Sequence, residues 1–314
     1  MQRRIRPAAD PAIAPQQGIT RQGQPLSYNR APAADIAPWI GRLYVTKVDM
    51  PHDYTVSCGI FNDTACVRIL LAGDWTAQTI DGPVTTRGGA YYFGPHSRRM
   101  PVSVTGSFIS VGYAIRPGTG TSLRLPHVGQ FIDRIVPTDV MTAPSDDFMN
   151  VLKPGASPEE WLLAIEDLVR SQVAGLGGRE PSPLAVKFEE MCFRNPGLSV
   201  SEIAEECGVD RRKLERLVSR DFGMPPKQAL RRARALDMAS HLRGVADSAE
   251  GEEMALRYYD ESHLIHEFTE LFGMSPRQFV ARPQPLMTLT LESRQAHRLE
   301  ALHRLEPGQS RPWE

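Results

Sequence analysis

The stretch Leu198–Phe222, LSVSEIAEECGVDRRKLERLVSRDF, decides how this chain is read. Ser199 stands three residues before Glu202, the spacing of a capping box that opens a helix. Ile203 and Ala204 are that helix's inward residues. Cys207-Gly208-Val209 interrupts the pattern, and Gly208 supplies the positive φ of a tight inter-helix turn. Asp210 caps a second helix, on which Leu214, Leu217 and Val218 recur at i, i+3 and i+4 as a narrow apolar stripe. Arg211, Arg212, Lys213, Glu215, Arg216 and Arg220 fall on its other faces. Such a helix can dock on a small core and enter a DNA major groove, which is about 12 Å wide. Nine Lys or Arg against two acids lie between Arg211 and Arg234, while the 314-residue chain carries a net charge of only −1, so the basicity is local. A merely solvated helix face is the competing reading, and two caps and a turn glycine in register weigh against it.

Working outward, Leu184, Phe188, Met191 and Cys192 mark a supporting helix that Asn195-Pro196-Gly197 ends. Gly223-Met224-Pro225-Pro226 turns the chain into another helix, Lys227 to Leu242, with Arg231, Arg232 and Arg234 as outward candidates for phosphate contact. RKLERLVSRDFGMPPKQAL then returns as HLIHEFTELFGMSPRQFV, both copies ending a helix with Phe-Gly-Met-x-Pro. This is an internal repeat of a half-domain.

On these residues, roughly 184–283 resemble the DNA-binding domain of the AraC/XylS transcription regulators, and YYDESHLIHEFTELFGMSPRQF is similar to the family signature almost throughout. The resemblance implies two helix-turn-helix units joined by a long helix, double-stranded DNA as partner, and RNA polymerase as a second. It implies base-facing positions at Arg212, Glu215 and Arg216 in the first unit, and at Glu261, Ser262, Ile265 and His266 in the second. One departure stands out. Glu252-Glu253-Met254-Ala255-Leu256-Arg257 runs straight into Tyr258 without the family's turn Gly, and Asp247, Glu250, Glu252 and Glu253 would repel phosphate there. The second unit is therefore expected to bind DNA weakly.

The amino-terminal half reads differently. Residues 1–32 are rich in Pro, Ala and Gln and are expected to be loose. From Tyr54 to Ile115 come YTVSCGI, ACVRILLA, DWTAQTI, AYYF, VSVT and SFISVGYAI, separated by turn signals at Asn62-Asp63, Gly73-Asp74, Asp81-Gly82, Gly88-Gly89 and Gly106. Asp81-Gly82 is a hairpin signal, and short strands at this spacing indicate a sandwich or barrel. Ser157-Pro158-Glu159-Glu160 opens a helix whose Trp161, Leu162, Ile165, Leu168 and Val169 must meet either the β domain or the same helix in a second chain. Gly175 to Pro183, GLGGREPSP, reads as a linker. The expected organisation is thus an α+β chain of two domains. A flexible 1–32 leads into a β-rich sensor or dimerisation domain over 33–174 with a trailing helix. The linker 175–183, an all-α DNA-binding domain over 184–283 and an extension over 284–314 follow. Leu291, Leu299, Leu302 and Leu305 make that extension a helix without an assigned role.

No catalytic constellation stands out. Cys58, Cys66, Cys192 and Cys207 lack metal-ligand spacing, and His52, His96 and His127 do not pair on one strand, so neither a metal nor a cofactor is expected. His96-Ser97-Arg98-Arg99 reads as an exposed basic turn. Trp75, Tyr91, Tyr92, Phe93, Phe108 and Tyr113 line either a small-molecule site or simply the core. No apolar run reaches the roughly 18 residues a membrane span needs, and MQRRIRPAADPAIAP has no secretory h-region. The sequence reading is a cytoplasmic, non-enzymatic transcription regulator of the AraC/XylS type. Its amino-terminal domain answers a small-molecule effector or forms a homodimer. The alternative is a β-domain enzyme, or a repair-type thiol protein using Cys58 or Cys66, fused to a DNA-binding module.

Overall fold

The computed structural model describes residues 6–141, 143–247 and 261–314. The amino-terminal domain is one antiparallel sheet of nine strands. These are β1 (Ala14–Pro15), β2 (Tyr28–Arg30), β3 (Ile40–Asp49), β4 (Thr55–Ile60), β5 (Cys66–Thr79), β6 (Gly82–Thr86), β7 (Gly89–Phe93), β8 (Met100–Ile115) and β9 (Ile135–Pro137). The path runs β1-β3-β8-β5-β7-β9, with β2 beside β3, β4 beside β8 and β6 beside β5. The Asp81-Gly82 hairpin is present, Thr79 pairing with Gly82. Gly73-Asp74 and Gly106, read as chain reversals, are bends inside the long strands β5 and β8. The β5–β8 register shifts on either side of Ala72, and Gly73 takes φ 93° where any side chain would run into Phe108. A positive-φ glycine at a bulge turns both strands without ending either.

The bend folds the sheet over itself. Its inner face gathers Val48, Val56, Ile60, Leu70, Trp75, Val104 and Phe108. On the outer face Leu43, Val45, Val67, Ile69, Val111 and Tyr113 meet two helices, α2 (Ser145–Val151) and α3 (Pro158–Gly175), which follow a short α1 (Thr119–Ser122). Helix α3 has the capping box Ser157/Glu160. Its Trp161, Leu162, Ile165 and Val169 are buried in this outer core. Leu168, the fifth residue of that stripe, is half-buried against the same core.

The carboxy-terminal domain comprises α4 (Pro183–Arg194), α5 (Val200–Glu206), α6 (Arg211–Asp221), α7 (Pro226–Leu242), α8 (Glu261–Phe272) and α9 (Pro276–Ala281). Phe188, Met191, Ile203, Leu214, Val218, Phe222 and Leu230 form the core of the first unit. Phe268, Phe272 and Phe279 stack and edge-pack in that of the second.

Helix α10 (Pro285–Ala301) is the element the sequence left without a role. It is buried nearly all round. Leu286 and Leu289 enter the inner face of the sheet, while Met287, Leu291, Ala296 and Leu299 enter the core of the second unit. Three of its charged residues are paired across both domains. Arg294 bridges Asp63 before β5 (2.6 Å) and Asp237 on α7 (2.8 Å), Glu300 holds Arg42 of β3 (2.7 Å), and Glu292 accepts from Asn29 of β2 (2.7 Å). Residues 6–32 are not loose. The Ala8 amide donates to Val280 O (2.9 Å), and the Arg243 guanidinium, at the end of α7, donates to Ala8 O (2.7 Å) and to the buried Gln24 side chain. Low apolar content misled the reading, because this segment is anchored by hydrogen bonds to helix ends.

Candidate functional site

The first unit is built as its residues dictate. Ser199 and Glu202 close both halves of the capping box, and Asp210 accepts from the Lys213 amide (2.8 Å). Gly208 sits between them at φ 65°. With Leu214 and Val218 turned inward, Arg211, Arg212, Lys213 and Arg216 are exposed and Glu215 is half-buried. Arg211 is held by Glu215 in an i,i+4 pair (2.8 Å), and among the described residues no acid pairs with Arg212, Lys213 or Arg216. This is a groove-sized rod with a cationic outer face.

In the second unit Ser262, Ile265 and His266 are exposed on α8, with Ile265 at 42% among the most exposed large apolar residues described. Glu261 begins that helix. The missing turn glycine, the acids at 250–253 and Tyr258-Tyr259 lie outside the described residues. Each unit ends on its Phe-Gly-Met, with Gly223 at φ 75° and Gly273 at φ 70°. The repeat seen in the sequence is thus a repeated helix stop.

Two expected DNA contacts, Arg231 and Arg232, are engaged within the protein, while Arg220 stays exposed on α6. Arg232 is buried and donates to His96 O (2.8 Å) and Asp63 O (2.6 Å) in the amino-terminal domain, so it is not a phosphate ligand in this conformation. Arg231 is tied to Glu267 (3.0 Å) and Glu270 (2.6 Å) of α8. Arg220 pairs with Asp221, whose carboxylate also accepts from Thr121 of α1 (2.6 Å). Outward spacing alone could not show the partners of Arg231 and Arg232, because Glu267 and Glu270 lie on another helix and His96 and Asp63 lie in the other domain. His96, read as part of an exposed basic turn, is buried beneath Arg232, and burial pushes its imidazole down to about 4.

A second site lies inside the bent sheet. A cavity of about 90 Å³ opens between the inner face of β3, β5 and β8 and the flank of α10. Trp75 and Phe108 line it, as two of the six aromatics singled out above. Tyr92 and Tyr113 belong to the outer core, Phe93 to the inner core, and Tyr91 donates to Arg87 O (2.7 Å) at the surface. The sequence reading missed the polar lining, Arg68, Ser110 and His297. The signal for Arg68 was one charge inside the apolar run ACVRILLA. Cys58 and Cys66 are buried here and burial pushes both thiols up, the opposite of the exposed, electropositive setting a thiol enzyme needs. Among the described residues no three His, Cys, Asp or Glu side chains are grouped to hold a metal, and no helix is long and apolar enough to cross a membrane.

Comparison with known families agrees with the geometry of the helical half. A family model described as a helix-turn-helix domain matches residues 203–282. The carboxy-terminal domain is an AraC-type helix-turn-helix domain. The match runs from within α5 to just past the end of α9. Among solved structures, fatty-acid-bound ToxT from Vibrio cholerae strain SCE256 is 12% identical, aligned over 76% of this chain and 94% of that one with a TM-score of 0.45. The C-terminal domain of AraT, a response regulator from Geobacillus stearothermophilus, is 21% identical over 31% of this chain and 84% of that one, with a TM-score of 0.28. No curated protein sequence matches the chain.

Proposed function

We propose that the AraC-type domain reads a specific DNA sequence chiefly through α6 and that a small molecule bound in the amino-terminal domain sets how freely it does so. The observation that carries this reading is the outward face of α6, where Arg212, Lys213 and Arg216 are presented by a helix fixed at its start by Asp210 and at its end by Phe222-Gly223. Arg is the residue best shaped for bidentate contact with guanine. Helix α8 offers Ser262, Ile265 and His266, which supply polar and apolar contacts to a groove. The supporting observation for ligand control is the junction. Asp221 at the end of α6 is hydrogen-bonded to α1, and α10 and Arg232 hold both domains. A change at the sheet's inner face therefore has a direct mechanical route to the DNA-reading helices.

The test is selection of bound duplexes from a random DNA pool, followed by binding isotherms across a salt series. Enrichment of a defined sequence, lost in Arg212→Ala/Arg216→Ala, is the expected result. Equal affinity for all duplexes would leave a phosphate binder without sequence reading.

A further inference from the structure

Glu267 follows the outward His266 on α8 but turns inward, and is 2% exposed. A single oxygen, Oε2, accepts from two guanidinium groups of α7, Arg231 Nε at 3.0 Å and Arg234 Nη2 at 3.1 Å. Residues three apart lie on one face of a helix, so the two arginines grip the carboxylate together. Arg231 also donates to Glu270 on α8 (2.6 Å). Arg234 turns its other nitrogen, Nη1, to Pro196 O (2.9 Å), in the turn that leads to Ser199 and α5. Arg234 thus joins the entrance of the first unit, the long helix α7 and the groove-facing helix of the second unit. Glu267 Oε1 is buried without a hydrogen-bond partner among the described residues. A buried ion pair satisfied only in part adds little stability, and apolar residues of similar volume often do as well or better. What such a pair does supply is register, because it has one good geometry where apolar faces can slide. The carboxy-terminal ends of both groove-facing helices are held as well. Asp221 of α6 accepts from Thr121 (2.6 Å), and Leu271 O of α8 accepts from the Arg99 amide (2.8 Å).

DNA makes a fixed distance between two helices readable. Major-groove segments on one face of a duplex recur about every 34–36 Å, roughly 10–10.5 bp. One added base pair moves the second segment by about 3.4 Å and turns it by about 35°. A rigid pair of helices cannot follow that change, and a loosened pair can. We infer that Glu267, gripped by Arg231 and Arg234, is a positioning residue that makes the chain selective for the spacing between the DNA segments read by α6 and α8. It touches no base. It sets where Ser262, Ile265 and His266 arrive once α6 is seated in its groove. This rests on the DNA-reading function proposed above and adds a distance to what is read.

The test uses the full chain and the duplex it selects from a random pool, with one base pair inserted or deleted between the two protected segments. The wild type is expected to bind both altered duplexes about tenfold more weakly, through loss of one unit's contacts. Glu267→Gln should bind the selected duplex about threefold more weakly and the altered ones no worse than the wild type does, so its preference falls to about threefold. Arg231→Met, at a side chain 26% exposed, should act in the same direction and serves if Glu267→Gln does not fold. A second arm needs no DNA. Spin labels at Ser201→Cys on α5 and Thr269→Cys on α8, with the half-buried Cys207 replaced by Ser, report the distance between the units by pulsed electron paramagnetic resonance. One narrow distribution is expected, clearly broadened by Glu267→Gln. The proposal is overturned if the wild type binds all three spacings equally, if both variants keep the tenfold preference, or if Glu267→Gln leaves the distribution unchanged. A pool that yields no sequence refutes the DNA reading itself, and spacing selectivity with it, while the narrow distance remains. A selected sequence bound equally at all spacings refutes only the role given to Glu267.

Discussion

At the scale of single residues, position relative to the neighbouring domain decides which arginines read DNA. Arg216→Ala should cost about 1–3 kcal/mol at one base position and relax specificity there, measured as competition between cognate and single-mismatch duplexes. Arg232→Ala should behave otherwise. It leaves His96 O and Asp63 O without their donor, so it should destabilise the fold by about 1–3 kcal/mol and leave the slope of log K against log salt unchanged. A drop of about one unit in that slope would return Arg232 to the phosphate contacts. The two residues look alike in the sequence, each an arginine off an apolar stripe, and only the packing of α7 against the β domain separates them. Burial also sets a pH response. His96 is pushed down to about 4 and His297 to about 3, against about 6.5 in an unfolded chain. As pH falls below 6.5 the unfolded state takes up protons that the native state refuses, so stability should fall by about 1.4 kcal/mol per pH unit for each histidine. Denaturant titrations from pH 7.5 to 5 check this, and His297→Met should flatten the slope.

At the scale of elements, local signals carried the helical half and non-local contacts carried the rest. Ser199, Gly208 and Asp210 act within a few residues of themselves, and their helix boundaries were legible. Helix α10 was legible as a helix from Leu291 and Leu299, but its partners on the sheet lie some 200 residues away in the chain, where no periodicity points. Glycines mark a φ and not its outcome, which is why Gly73 and Gly106 were read as turns when they bend continuous strands. Met287→Ala removes a fully buried side chain from the junction of α10 with α7 and should cost about 2–5 kcal/mol. Asp210→Ala should cost only about 0.5–2 kcal/mol, through the loss of one cap, while reducing DNA affinity by loosening the first turn of α6. If Met287→Ala proves neutral in chemical denaturation, α10 is not the joint described here.

At the scale of the molecule, the two domains share a helix, so they should share an unfolding transition. Calorimetric and van't Hoff enthalpies are expected to agree for the full chain despite its two cores, and two resolved transitions would show that the junction is weaker than its paired Arg294 and Arg42 indicate. The same shared helix imposes an order on biosynthesis. Roughly 180 residues separate Phe108, on the inner face of the sheet, from Leu286, which closes it, and a ribosome needs about ten to forty seconds to add that many. Throughout that interval the nascent sheet stands with its concave side open to water. Arg68 then has solvent for a partner, and the charge that is costly under α10 keeps an unfinished apolar surface hydrated until its cover is made.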